Sequence, residues 1–172
     1  MFQTSYFKSS YGDFKSALES YDKNFNEDLF IKAIEVAEKS HKDQFRASGD
    51  PYIVHPYEVC KSLIDLKLDT ETVITGLLHD VIEDTSFSKQ QLNNIFGSSI
   101  TSLVDGLTKI DFLEEKKITR SEQEAENFRK LLISTAKDIR VLIIKLADRL
   151  HNIKTIHFFK DIEKRKRVSN ET

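Results

Sequence analysis

Residues 77–85, LLHDVIEDT, place four ionisable side chains inside a stretch that otherwise consists mainly of leucine, isoleucine and valine. The four are His79, Asp80, Glu83 and Asp84. The surrounding apolar residues recur with helical spacing and predict a buried helix over residues 71–84. Ionisable groups on such a helix are costly to desolvate without a partner. That partner would be a cation, a charged substrate, or water at a surface edge.

A second apolar segment, residues 138–155, carries a polar stripe at helical spacing. Lys145, Asp148, Asn152 and Thr155 follow one another at i, i+3, i+7 and i+10 on a helix that is otherwise apolar over most of its circumference. A lone aspartate in such a place usually marks a helix edge that touches solvent. Two core helices with misplaced acids indicate instead that both helices face one internal cavity.

A metal ion would account for these polar groups. His79 and Asp80 are about 100° apart on a helix, so both can reach one ion beside it. His55, in YIVHP, and Asp148 complete a set of two imidazoles and two carboxylates. This mixed set suits Mn²⁺, Fe²⁺, Co²⁺ or Zn²⁺ better than Mg²⁺, which prefers oxygen ligands and water. We expect His55 to lie in a loop stiffened by the prolines on either side of it.

Glu83 and Asp84 form a second acidic pair, one helical turn after His79 and Asp80. One turn is about 6 Å along the helix axis, which is too far for direct coordination and close enough to reach a metal-bound water.

Composition limits the class of protein. The chain has 172 residues, of which 39% are hydrophobic and 31% charged, so it is large enough for one globular domain, and we take residues 1–172 as that domain. A net charge of −2 gives no general attraction to nucleic acid or to an anionic membrane. No apolar run is long enough for a membrane span and the first residues lack a signal-peptide pattern. The single cysteine, Cys60, fits a cytoplasmic protein without disulfides.

Few glycines and prolines and weak strand-like alternation predict an all-α fold, a compact helical bundle with the metal site in its central cavity. The expected caps are Asp13, Ser88 with Gln91, Ser121 with Glu124, and Asp138. Loops are expected at residues 42–56 and 111–120. The expected helices cover about residues 13–25, 29–41, 57–66, 71–84, 88–97, 100–107, 121–135 and 139–156.

Together, these motifs resemble those of a known family. The order His, His-Asp, Asp is similar to the HD superfamily of metal-dependent phosphohydrolases. The stretches RASGDPYIVHP, GLLHDVIEDT, FGSSITSLVDGLTKI, EAENFRKLL and DIRVLIIKLADRLHN resemble, more closely, the hydrolase domain of the RelA/SpoT homologues. The resemblance covers about residues 25–172.

The resemblance implies a helical domain with one Mn²⁺ that removes the 3′-pyrophosphate from guanosine tetra- and pentaphosphate, the alarmones of the stringent response. It implies that His55, His79, Asp80 and Asp148 bind the metal and that Glu83 and Asp84 handle the water. The residues implied in substrate binding or in offsetting its charge are Arg46, Ser48, Lys145, Asn152, Lys154 and Thr155.

Two positions depart from the family pattern. The family usually has a lysine where this chain has Ala47, which would change the grip on the base or the phosphates. Lys154 stands where arginine is common, so the charge is kept but the bidentate geometry is lost.

Two other functions stay open. One is an HD phosphohydrolase reaction on another nucleotide, for example a dinucleotide cofactor, and the other is a non-catalytic alarmone sensor. The intact acidic pair disfavours the sensor. The basic run EKRKRVSN is typical of a solvated helix end and gives little support to nucleic-acid binding. The sequence also leaves open whether this is a stand-alone hydrolase or the N-terminal part of a bifunctional synthetase/hydrolase.

Overall fold

The computed structural model describes residues 5–111, 137–159 and 161–170. These residues form helices, with one isolated β-bridge between Phe45 and Pro51 and no strand, so the all-α prediction is confirmed. The helices are α1 (Ser5–Tyr21), α2 (Glu27–Ser40), α3 (Val54–Asp65), α4 (Thr70–Leu78), α5 (Val81–Asp84), α6 (Lys89–Asp111), α7 (Ile139–Lys154), a 3₁₀ turn (Ile156–Phe158) and α8 (Ile162–Asn170).

Helix α4 is the centre of the bundle. Eight of its nine residues are buried, Glu71 being partly exposed, and it packs against α2, α3, α6 and α7. Leu77 and Leu78, at its end, are fully inaccessible to solvent. The residues that follow α4 therefore emerge from the middle of the hydrophobic core rather than from its edge.

Side-chain caps set several helix starts. The predicted capping box of α6 is present, since Ser88 and Gln91 each accept a hydrogen bond from the other's backbone N–H. Asp138 caps α7 by accepting from the N–H of Arg140, as expected. Asp69 likewise caps α4 by accepting from the N–H of Thr72. Each cap satisfies a backbone donor that the first helical turn leaves unpaired.

The predicted first helix, at residues 13–25 with Asp13 as its cap, is wrong in its bounds. Helix α1 runs from Ser5 to Tyr21, so Asp13 lies in its interior. The helix starts earlier because Phe7, seven residues before Phe14, is also a core residue. The rings of both pack against Tyr57 of α3, with centroids 5.3 Å and 5.2 Å away.

Two further expectations about local structure need correction. His55 does not lie in a loop, because α3 begins at Val54 and holds it in the first turn. Pro56 is compatible with that turn, where its missing N–H would have no helical partner. The predicted helix over 71–84 is interrupted, since α4 ends at Leu78 and α5 begins at Val81.

Gly97 bends α6 at the point where the sequence predicts a helix end. Its backbone has φ 79° and ψ 177°, a conformation that strongly favours glycine, and helix continues on both sides. The predicted loop beyond Asp111 and the predicted helix at residues 121–135 lie outside the described residues. Among the helices of the described part, none is long and apolar enough to cross a membrane.

We predict that two glycine-to-alanine substitutions will have opposite effects on stability. A Cβ at Gly76 of α4 would collide with Leu63 Cδ1 of α3, whereas a Cβ at Gly12 of α1 would meet nothing within 4 Å. Gly76→Ala should lower the free energy of unfolding by about 1–3 kcal/mol through overpacking. Gly12→Ala should raise it by about 0.5–1 kcal/mol through helix propensity.

Urea unfolding of the two variants beside the unsubstituted chain measures both effects. Equal stabilisation by the two substitutions would show that α3 and α4 are not packed as closely as described.

Candidate metal centre

The four predicted metal ligands meet at one point. The Nε2 atoms of His55 and His79 are 3.2 Å apart. Asp148 Oδ1 lies 3.1 Å from the Nε2 of His55, and Asp80 Oδ1 lies 3.1 Å from the Nε2 of His79. His55, His79 and Asp80 each direct a ligand atom into a common space in which these atoms are within 4.8 Å of one another.

The four candidate ligands come from three parts of the bundle. His55 is in the first turn of α3, His79 and Asp80 form the turn between α4 and α5, and Asp148 is on α7. Both histidines and Asp148 are buried, with 1%, 5% and 6% of their surface exposed. Two imidazole nitrogens and two carboxylates that converge in a buried space fit a divalent transition-metal ion.

The outer ring nitrogens fix which nitrogen faces the centre. His79 Nδ1 lies 2.8 Å from the carbonyl oxygen of Gly76, so Nδ1 carries a hydrogen and Nε2 is the nitrogen that faces the centre and would bind a metal after losing its proton. His55 Nδ1 lies 2.7 Å from His151 Nδ1. For His55 Nε2 to act as a ligand, its Nδ1 must donate this hydrogen bond and His151 must accept it.

The charges of the centre are balanced internally. Burial alone would lower the pKa of His79, but the carboxylates of Asp80 and Asp148 raise it to about 9. Burial lowers the pKa of His55, whose imidazole is thus neutral. Burial would raise the pKa of Asp148, yet its hydrogen bond with His55 and the ammonium of Lys145 hold that pKa well below its usual value.

The acidic pair lies directly beside the ligands. Although the helix is interrupted, the N–H of Asp84 still bonds to the carbonyl of Asp80 at 2.8 Å, so these two residues keep the one-turn spacing. The hydroxyl of Tyr52 lies 2.7 Å from Asp80 Oδ2 and 2.8 Å from Asp84 Oδ2. Glu83 is exposed on α5 next to Asp84.

Three of the predicted substrate residues form one cluster. Arg46 Nη2 donates to Asn152 Oδ1 at 2.8 Å and lies 3.4 Å from Thr155 Oγ1. Asn152 in turn donates from Nδ2 to Asp148 Oδ1 at 2.7 Å. The cluster is therefore connected directly to a predicted metal ligand.

The other three predicted substrate residues are placed differently. Lys145 is buried and lies 3.1 Å from Asp148 Oδ2, where it neutralises a metal ligand. Ser48 donates to Asp50 within its own loop, at 2.7 Å. Lys154 is exposed in the last turn of α7. Their contacts with a substrate stay predictions.

Sequence reasoning missed four residues of the site, namely His41, Gln44, Tyr52 and His151. Two of them carry a signal in the sequence. His151 follows Asp148 by three residues, so it extends the polar face of α7. His41 follows Ile34 and Ala37 at the spacing of the apolar face of α2 and is only 1% exposed. Tyr52 and Gln44 carry no such periodic signal.

The chain is similar in sequence to several known proteins. The chain is 47% identical over 146 residues to a GTP pyrophosphokinase of Myxococcus xanthus, covering 84% of this chain and 19% of the relative. It is 47% identical over 137 residues to a guanosine-3′,5′-bis(diphosphate) 3′-pyrophosphohydrolase of Haemophilus influenzae (80% and 20%). An Aquifex aeolicus protein of that second name is 41% identical over 160 residues (93% and 22%). The chain thus spans about a fifth of the length of these relatives.

A solved structure has a similar fold. It is described as a metazoan ortholog of SpoT that hydrolyses ppGpp and plays a role in starvation responses. The TM-score is 0.65 at 26% identity, and the match covers 83% of this chain and 80% of that one. The family model of the HD domain matches residues 33–172, a range that includes all four converging ligands. The chain therefore belongs to the HD domain family.

Proposed function

We propose that this chain is a divalent-metal-dependent guanosine-3′,5′-bis(diphosphate) 3′-pyrophosphohydrolase. The observation that carries the proposal is the adjacency of three groups: the converging ligands, the acidic pair, and the cluster of Arg46, Asn152 and Thr155. The relatives that bear this name, at 41% and 47% identity, give further support. A cytoplasmic location is part of the proposal and rests on the composition.

Mn²⁺, one per chain, is the metal that we propose, held by His55, His79, Asp80 and Asp148. Two nitrogen and two carboxylate ligands form a set of intermediate hardness that suits Mn²⁺ and other divalent transition metals. A divalent ion in this position supplies two effects, a lower pKa for a bound water and polarisation of a phosphoryl oxygen.

The chain's own residues supply the remaining chemistry. Hydrolysis leaves a 3′-hydroxyl and free pyrophosphate, so one proton must leave the attacking water and one must reach the departing 3′-oxygen. We assign the acceptance and return of that proton to Glu83 and Asp84, and the contact of Asp84 with the Tyr52 hydroxyl beside Asp80 supports the assignment. Arg46 and Lys154 would offset the negative charge of the phosphates. Asn152 and Thr155 would bind the nucleoside beside the metal ligand Asp148.

Ala47 bears on how the nucleotide is held. It is exposed, between Arg46 and Ser48, and offers no charge of its own. Arg46 is oriented by Asn152 and also lies over the ring of Tyr52, with its guanidinium carbon 5.6 Å from the ring centroid. Recognition of the base would therefore depend on Arg46 and Asn152 rather than on a second cation in the loop.

We predict that the chain with Mn²⁺ converts guanosine tetraphosphate to GDP and pyrophosphate. Anion-exchange separation of the products tests this, with the chelator-treated chain and the His79→Ala variant as inactive controls. The identity of the released group separates the alternatives. Release of orthophosphate from a dinucleotide cofactor, with the alarmone left intact, would show that the substrate is a different nucleotide.

We predict that the affinity for Mn²⁺ rises with pH up to about pH 9. The metal needs the neutral form of His79, whereas the neighbouring carboxylates raise the pKa of this histidine to about 9 in the metal-free chain. Below that pH binding must displace the proton, so affinity should change by up to tenfold per pH unit.

Calorimetric titration in buffers of different ionisation enthalpy counts the released protons. About one proton per Mn²⁺ at pH 7.5 is expected. Binding that releases no proton at that pH would show that the metal does not displace a proton from His79. His79→Ala should abolish the binding.

We predict different defects for Glu83→Gln and Asp80→Asn. Glu83→Gln keeps the shape but cannot accept a proton, so it should retain the metal while turnover falls by about 10²–10⁴. Asp80→Asn weakens a metal ligand, so added Mn²⁺ should restore part of its rate. Measuring the turnover of both variants against Mn²⁺ concentration distinguishes proton transfer from metal binding. If excess Mn²⁺ restores the turnover of Glu83→Gln but not that of Asp80→Asn, the two roles are reversed.

A further inference from the structure

A single hydroxyl separates the metal ligand Asp80 from the acid Asp84. The Oη of Tyr52 is 2.7 Å from Asp80 Oδ2 and 2.8 Å from Asp84 Oδ2. Tyr52 thus connects two side chains to which the proposed reaction gives different tasks, metal binding and proton transfer.

The main chain of Asp84 is held from the same side. Gln44 Nε2 donates to the carbonyl of Asp84 at 2.7 Å. Gln44 Oε1 lies 2.7 Å from His41 Nδ1, and since the amide nitrogen of Gln44 is used on Asp84, His41 is the donor in this contact. The His41 ring stacks on that of Tyr52, with centroids 4.7 Å apart and an interplanar angle of 22°. These contacts connect Tyr52, Asp84, Gln44 and His41 into one closed cluster.

This four-residue cluster is anchored at His41, which is buried at the end of α2. His41 is 1% exposed and caps the C-terminus of α2, where its N–H bonds to the carbonyl of Ala37. Asp84, in contrast, is exposed at the end of the four-residue helix α5. A short exposed helix alone would leave this carboxylate several orientations, whereas proton transfer needs one orientation within hydrogen-bond reach of the water.

We propose that Tyr52 is a positioning residue whose hydroxyl, supported by the stacked ring of His41, holds the Asp84 carboxylate beside the metal ligand Asp80. The inference rests on the proposed hydrolase function and adds to it. It assigns to Tyr52, His41 and Gln44 a task that the sequence pattern does not reveal. It also ties Asp84, one member of the acidic pair, to the candidate metal centre.

Tyr52→Phe tests the inference, because it removes only the hydroxyl and keeps the ring that stacks on His41. At saturating Mn²⁺ we expect kcat to fall by about 10–100-fold, the usual effect of losing such a supporting contact. KM should stay within about threefold, since the nucleoside cluster is not altered. Full recovery of the rate with excess Mn²⁺ would overturn the proposal, because Tyr52 would then act on Asp80 alone.

A double-mutant cycle with Asp84→Ala shows whether the two residues act together. In the Asp84→Ala background, Tyr52→Phe should cost less than about threefold in turnover, whereas independent residues would show the full loss again. Tyr21→Phe is the matched control, since it also removes a hydrogen-bonded hydroxyl, which donates to the carbonyl of Leu68 at 3.0 Å and not to the acidic pair. Its cycle with Asp84→Ala should be additive.

The same cycle in urea unfolding needs no substrate. Tyr52 and Asp84 should be coupled by at least about threefold in the unfolding equilibrium constant, the range of one hydrogen bond. If the unsubstituted chain leaves the alarmone intact, the proposed function fails, and this second cycle still decides whether Tyr52 holds Asp84. If the chain is active but both cycles are additive, the function stands and the role of Tyr52 is overturned.

Discussion

The convergence of two imidazoles and two carboxylates in a buried space is the constraint on which the rest of the structure depends. Isolated charges at this depth would be very costly to desolvate. Here each charge has a close partner, such as Asp80 for His79 and Lys145 for Asp148. Such partners lower the cost but do not make the arrangement stabilising by themselves, because buried ion pairs often only offset their own desolvation. The apolar packing of α4 against four other helices must supply the surplus.

The position of the helix break explains how α4 serves both packing and chemistry. All residues of α4 except the partly exposed Glu71 are buried, and the chain leaves the helix at the two residues after Leu78, His79 and Asp80. The carbonyl of Gly76, in the last turn, accepts from His79 Nδ1 and so aims the ring inward. The same glycine lets α3 approach closely, because any side chain there would strike Leu63. One residue thus supports the helix contact and the ligand orientation together.

The sequence is sufficient for the fold class and for the choice of candidate ligands, because both depend on local signals. Periodic apolar residues predict helices, and His79 and Asp80 are conspicuous within an apolar helix. The apolar spacing from Phe14 onward predicts α1 only from residue 13, whereas the helix begins at Ser5 with Phe7 in the core. The break between α4 and α5 falls at His79 and Asp80, and neither residue is a glycine or proline from which a helix end could be predicted. The role of Tyr52 depends on contacts made across 28 and 32 positions of the chain, which no window of sequence can reveal.

The candidate metal ligands and the cluster of Arg46, Asn152 and Thr155 form one hydrogen-bonded unit rather than two adjacent sites. Asn152 donates to the ligand Asp148 and accepts from Arg46, so its amide orientation is fixed by both sides. A change in the position of the Arg46 guanidinium would therefore reach Asp148 through a single side chain. Arg46 also lies over the ring of Tyr52, whose hydroxyl contacts Asp80. Two of the ligands are thus connected to the same arginine. In this arrangement the loop that would recognise the base also sets the geometry of the centre where the phosphate would be cleaved.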